Sequence, residues 1–97
     1  MSDHPRAASD VQIDSDRVRV TEWRFEPGTA TGRHRHEFDY VVVPMTTGVL
    51  TLDEDGERRR ATITSGSAYF RPAGVEHDVA NESDRLVVFV EIELKQG

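Results

Sequence analysis

His34 and His36 are separated by one residue, and on an extended chain alternate side chains leave the backbone on the same side. Their Cα atoms then lie ~7 Å apart on one face, a spacing from which two imidazoles can converge on a single ion. A third histidine, His77, follows Pro72-Ala73-Gly74. There proline fixes one backbone angle and glycine admits a conformation other residues avoid, so the chain reverses tightly and His77 is aimed back across the fold. Arg71 and Arg24 each offer a planar fork that could neutralise a carboxylate. The chain has no cysteine, which removes disulfides, thiolate ligands, iron–sulfur clusters and cysteine nucleophiles together. No nucleophile elbow, phosphate-binding glycine loop or dinucleotide fingerprint occurs, because the glycines punctuate extended stretches instead of opening helices.

The elements that must position these groups read as strands. Valine numbers 12 against 4 leucines, and 8 threonines add further β-branched side chains, a composition suited to pleated, half-buried strands. Extended stretches are expected at 17–25, where a change of apolar parity suggests a bulge, and at 34–43, 48–53, 57–63, 68–71, 76–79 and 86–94. Asp55-Gly56 marks a tight turn. Turn signals recur about every 8–12 residues and no helical period appears, which predicts an all-β sandwich or small barrel. Residues 1–16 lack a sustained pattern and read as a flexible arm ending in a short strand around Val11 and Ile13, leaving 17–97 as the single folded domain.

The chain has 97 residues, which fits one domain, and its formal charge of −6 argues against general binding to nucleic acid or an anionic membrane. The only basic run, Arg58-Arg59-Arg60, follows the Asp55-Gly56 turn and reads as a solvated edge strand. The longest apolar stretches, 40–45 and 86–90, are too short to span a bilayer, so a cytoplasmic protein is expected. Val41 and Val43 oppose Tyr40 and Val42, so this stretch is apolar on both faces and requires cover on both, from a second sheet or a dimer partner; a homodimer is expected.

Gly28-x5-His34-x-His36 and Gly66-x5-Pro72-x-Gly74-x2-His77-x3-Asn81 resemble the two sequence motifs of the cupin family, the second at all five of its defining positions. The resemblance runs from about Val18 to Ile92. It implies a small antiparallel β-barrel, the double-stranded β-helix or jelly-roll, with the two motifs on neighbouring strands and their histidines meeting inside around one divalent metal. His34, His36 and His77 are the metal ligands so implied. The stretches 34–44 and 70–79 are similar to a subgroup of short bacterial cupins, some associated with β-alanine degradation. Asn81 reads as structural, bonding backbone groups of the following turn.

One departure from the family concerns charge. Its first motif usually places a glutamate three or four residues beyond the second histidine, where this chain has Tyr40 and Val41. Parity puts Tyr40 on the face of His34 and His36, while Glu37 and Asp39 face outward. A phenol with an ordinary pKa of about 10 is a better hydrogen-bond donor to substrate or water than a ligand. The three-imidazole site then keeps the full charge of its ion and an open position, and Fe, Zn, Ni and Cu all suit it. The expected function is a metal-dependent enzyme acting on a small anionic organic metabolite, as a dioxygenase, isomerase or lyase. Tyr40, Glu76 and Arg71 would handle protons or orientation. The alternative is a non-catalytic module that captures a small ligand in the barrel mouth.

Overall fold

Alternation decides which side chains enter the interior, and the strand pairings follow it. The computed structural model describes residues 4–95. Among these there are nine strands and no helix: β1 (Ala8–Asp14), β2 (Val18–Phe25), β3 (His34–Arg35), β4 (Asp39–Pro44), β5 (Gly48–Glu54), β6 (Glu57–Ile63), β7 (Tyr69–Arg71), β8 (Glu76–Ala80) and β9 (Val87–Leu94). They form two antiparallel sheets, one in the order β1-β2-β9-β4-β7 and the other β3-β8-β5-β6. This is the jelly-roll barrel expected of the sequence. No described helix is long and apolar enough to cross a membrane.

The five-stranded sheet carries cross-strand rows that face the interior. Arg19 lies opposite Glu93, Glu93 opposite Tyr40, and Tyr40 opposite Arg71. The next row runs Thr21, Glu91, Val42, Tyr69, and Trp23 lies opposite Phe89 beyond it. In the four-stranded sheet His34 lies opposite His77, and His77 opposite Glu54, with Leu52 and Val79 in the following row. The interior is thus polar at one end and apolar at the other. Phe25, Val42, Leu50, Leu52, Ile63, Val79, Val87 and Phe89 fill the apolar end at 7% exposure or less.

Two expectations about strand regularity are corrected. The change of parity in 17–25 is not a bulge: β2 pairs with β9 without a register shift, and its two apolar sets occupy opposite faces. The irregularity lies in β1, between Val11 and Ile13. The stretch 34–43 is not one strand. It pairs with β8 through Arg35, leaves strand geometry over 36–38, and joins β9 and β7 from Asp39 onward, so it passes from one sheet to the other. Burial still alternates across the break, with Tyr40 and His36 buried and Glu37 and Asp39 exposed.

The segment expected as an arm supplies β1, whose seven residues are all exposed and six of which pair with β2. Ahead of it, the Ala7 amide donates to the Ala30 carbonyl and the Ala30 amide to the Pro5 carbonyl, both at 2.9 Å. Gly32 has φ +83°, a conformation that side chains disfavour, and the Arg6 guanidinium packs against it. On the outer face of the five-stranded sheet, Val18, Val20, Val41, Val43, Val90 and Ile92 are only half-buried and Phe70 is 56% exposed.

Asn81 is fully buried and ties the turn between β8 and β9 to the end of β2. Its Nδ2 donates to the carbonyls of Phe25 (2.9 Å) and Arg85 (2.7 Å), and its Oδ1 accepts from the amide and hydroxyl of Ser83.

Candidate metal centre

His34 and His77 meet as direct cross-strand neighbours, and His36 reaches them from the crossover between the sheets. Backbone bonds hold that crossover: the His36 amide donates to the Val75 carbonyl and the Gly74 amide to the His36 carbonyl, each at 2.8 Å. Gly74 has φ +96°, so the turn that precedes His77 also pins His36, in a conformation that side chains disfavour. The two motifs are thereby locked to each other.

The three rings present Nε2 to a common point. His34 Nε2 and His36 Nε2 are 3.1 Å apart, as are His36 Nε2 and His77 Nε2. A metal–nitrogen distance of ~2.1 Å sets ligand nitrogens ~3.0 Å apart in an octahedral face and ~3.4 Å apart in a tetrahedron, so this spacing suits a transition ion. His34 Nδ1 lies 2.8 Å from the Gly32 carbonyl, which can only accept. That contact puts the proton on Nδ1 and turns the Nε2 lone pair inward. His36 and His77 are buried at 6% and 5% exposure. Burial, and then the neighbouring imidazoles, hold His36 down at about 4 and His77 down at about 3, so both are neutral ligands at neutral pH.

Around the histidines lies a cavity of about 40 Å³, lined by Thr31, Tyr40, Tyr69, Arg71, Glu91 and Trp23 among others. Tyr40 stacks on His36 with ring centroids 3.9 Å apart, and its buried hydroxyl has no hydrogen-bond partner among the described residues. Burial pushes its phenol above the ordinary range, so it stays a neutral donor. Arg71 donates through Nη2 to both carboxylate oxygens of Glu54, at 3.1 and 2.9 Å. Burial works to raise the Glu54 carboxyl, but the Arg71 hydrogen bond and charge outweigh it and hold the group below the usual range.

Of the six residues expected at the site, His34, His36, His77, Tyr40 and Arg71 come together. Glu76 does not: it precedes His77 on β8, so the pleat turns it outward, where it is exposed and 4.0 Å from Arg33. Arg24 likewise faces outward, 3.9 Å from Glu22. Three interior acids escaped the sequence reading. Glu91 Oε2 is 3.8 Å from His36 Nδ1, Glu54 Oε1 is 3.7 Å from His77 Nδ1, and Glu93 is paired with Arg19 at 2.6 Å. Burial, and then Glu93, push the Glu91 carboxyl up to about 7. The signal was available in the alternation: Glu91 and Glu93 continue the inward face of Val87 and Phe89, and Glu54 that of Leu50 and Leu52.

The model for the cupin domain matches residues 21–93. The chain belongs to the cupin family. This cupin is 57% identical over 95 residues to the "Beta-alanine degradation protein BauB" of Pseudomonas aeruginosa, a match covering 98% of this chain and 100% of that one. It is similar to a crystal structure of a cupin domain protein (bp2299) from Bordetella pertussis Tohama I, with TM-score 0.94, 55% identity and coverage of 99% and 100% of the two chains. TT1209 from Thermus thermophilus matches with TM-score 0.70 and 28% identity, covering 92% of this chain and 84% of that one.

Proposed function

We propose that this cupin is a metal-dependent enzyme that holds one divalent transition ion on Nε2 of His34, His36 and His77 and acts on a small anionic organic metabolite. The observation that carries the reading is the convergence of three inward Nε2 atoms beside a cavity that also presents Arg71 and the unpartnered Tyr40 hydroxyl. A bound ion would supply Lewis-acid chemistry, or redox chemistry if it is iron. Arg71 makes both of its Glu54 bonds through Nη2, which leaves the other edge of the guanidinium for a substrate carboxylate. Tyr40 donates a hydrogen bond to substrate, and Val42, Leu50, Leu52, Val79 and Phe89 exclude water behind it. The small cavity favours short-chain acids. The printed name of the relative in Pseudomonas aeruginosa makes β-alanine and acids derived from it the first compounds to screen.

The outer face of the five-stranded sheet supports a homodimer of this cytoplasmic enzyme. Five strands spaced ~4.8 Å apart and up to ~25 Å long give a flat footprint of roughly 600 Å². That is close to the ~800 Å² per partner of a standard interface. Its half-buried valines, with Ile92 and Phe70, are apolar in a chain of net charge −6. A second copy, which brings the same half-buried valines with Ile92 and Phe70, is the partner that this apolar patch fits.

The test is elemental analysis of untagged protein beside a His34→Ala/His77→Ala variant, followed by turnover assays on the acid panel with wild type and Arg71→Gln. Near-stoichiometric metal in wild type alone, with turnover weakened by Arg71→Gln, is the expected result. Negligible metal in both proteins, even after anaerobic reloading, would overturn the metal site. Metal without turnover across the panel would favour a ligand-binding module.

A further inference from the structure

Each imidazole of the centre has an acceptor behind it. His34 Nδ1 already bonds the Gly32 carbonyl at 2.8 Å, with the Thr31 hydroxyl 3.3 Å away. Behind His36 stands Glu91, and behind His77 stands Glu54, at 3.8 and 3.7 Å from the respective Nδ1 atoms. Both separations exceed a hydrogen bond by less than ~1 Å, which a small ring tilt closes. His77 Nδ1 is buried and has no partner among the described residues, so Glu54 is the acceptor within reach of its proton. We propose that Glu91 and Glu54 are positioning residues that accept the Nδ1 protons of His36 and His77, fixing both rings with Nε2 turned inward and setting the affinity of the centre for its ion. This rests on the three-nitrogen reading above.

The physical argument is the tautomer. A carboxylate only accepts, so a ring facing one must carry its proton on Nδ1 and keep the Nε2 lone pair free. A glutamine in the same place also donates, and can hold the ring in the opposite tautomer, with a proton blocking Nε2. Glu54 is itself held, with both of its oxygens bonded by Arg71, and Glu91 is buried in the interior. They approach from different sheets, Glu54 on β5 and Glu91 on β9, so each backs its own ring independently. Glu54 also joins the centre to the anion-binding arginine, since it contacts His77 on one side and Arg71 on the other.

The test is competition of Zn²⁺ and Co²⁺ against a chromophoric chelator for wild type, Glu54→Gln, Glu91→Gln, the double variant and His36→Ala, with Glu26→Gln as an exposed control. Each single glutamine variant is expected to weaken metal binding about 10–100-fold while keeping a native strand circular dichroism spectrum. The losses should multiply in the double variant, because the carboxylates act on different rings. The visible Co²⁺ absorption should shift in each, a readout that lowered stability alone would not move. Affinities within twofold of wild type for both variants, with binding abolished in His36→Ala, would overturn this inference alone. Equal binding by wild type and His36→Ala would overturn the three-nitrogen site itself.

Discussion

Replacing Asn81 probes the turn that closes the second motif, and its cost can be worked from the four hydrogen bonds of its side chain. Asn81→Ala removes two donors and one acceptor atom, leaving the Phe25 and Arg85 carbonyls and the Ser83 amide and hydroxyl without this partner. A net ~0.5–1 kcal/mol for each of the four neutral bonds gives a loss of about 2–4 kcal/mol. In a domain of this size each kcal/mol moves Tm by about 4–8 °C, so the midpoint should fall by roughly 8–32 °C. Asn81→Asp keeps the acceptor for Ser83 but turns a second carboxylate oxygen toward two carbonyls and buries a charge, so it should be at least as damaging. Urea denaturation followed by circular dichroism measures both, and an unchanged m-value shows that stability changed without altering the surface exposed on unfolding. If Asn81→Ala cost less than ~1 kcal/mol, or Asn81→Asp were the more stable variant, the donor role assigned to Nδ2 would be wrong.

Three further outcomes follow from the same structure. Adding Zn²⁺ at a hundredfold excess over its dissociation constant should stabilise wild type by ~2.7 kcal/mol, seen as a rise in Tm of roughly 10–20 °C, and leave His34→Ala/His77→Ala unmoved; an equal rise in both would refute the site. Without metal, stability should fall as pH drops below 6.5. The unfolded histidines then bind protons that His36, at about 4, and His77, at about 3, refuse, so the stability present above 6.5 is lost toward those values. Glu91, raised to about 7, acts oppositely between 7 and 4.5 because the folded state takes its proton first; the net loss is therefore about one proton in slope until pH 4.5 and steeper below, and a flat profile from pH 6.5 to 4.5 would contradict it. Finally, Ile92→Lys places a charge between Val20 and Val41 on the outer sheet face. Light scattering should then give about twice the 10.9 kDa chain mass for wild type and a single chain mass for the variant, whereas a monomeric wild type at 100 µM would remove the dimer.

Periodicity carried most of the fold. Charged or polar residues that alternate with apolar ones, as in β2 and β9, mark faces, and the turn residues Pro72, Gly74, Asp55 and Gly56 mark the ends of strands with a mechanism behind each. The site was legible where parity and motif agreed, at His34, His36, Tyr40 and His77. Glu76 stands next to His77 in sequence, but the pleat turns it outward, where it is exposed. The site was missed at Glu54, Glu91 and Glu93, because an inward acid looks like an exposed one until the opposite strand shows what neutralises it. The break at 36–38 was also hidden: a chain that changes sheets keeps its in-and-out rhythm while losing its partners, and only pairing reveals that.

β1 is an edge strand whose side chains are all exposed and whose ladder is made to β2 alone. Such a strand can peel away without opening the barrel interior, so its amides should exchange with solvent far faster than those of β9. Peeling would also strip Pro5, Arg6 and Ala7 from the loop at 30–32, which leads directly into His34 and whose Gly32 carbonyl orients that ring. Pro5, Arg6 and Ala7 therefore brace the three-histidine cluster from outside. Deleting residues 1–14 should leave a folded barrel in which the Ala30 amide, which donates to the Pro5 carbonyl, loses exchange protection and ions leave the centre sooner.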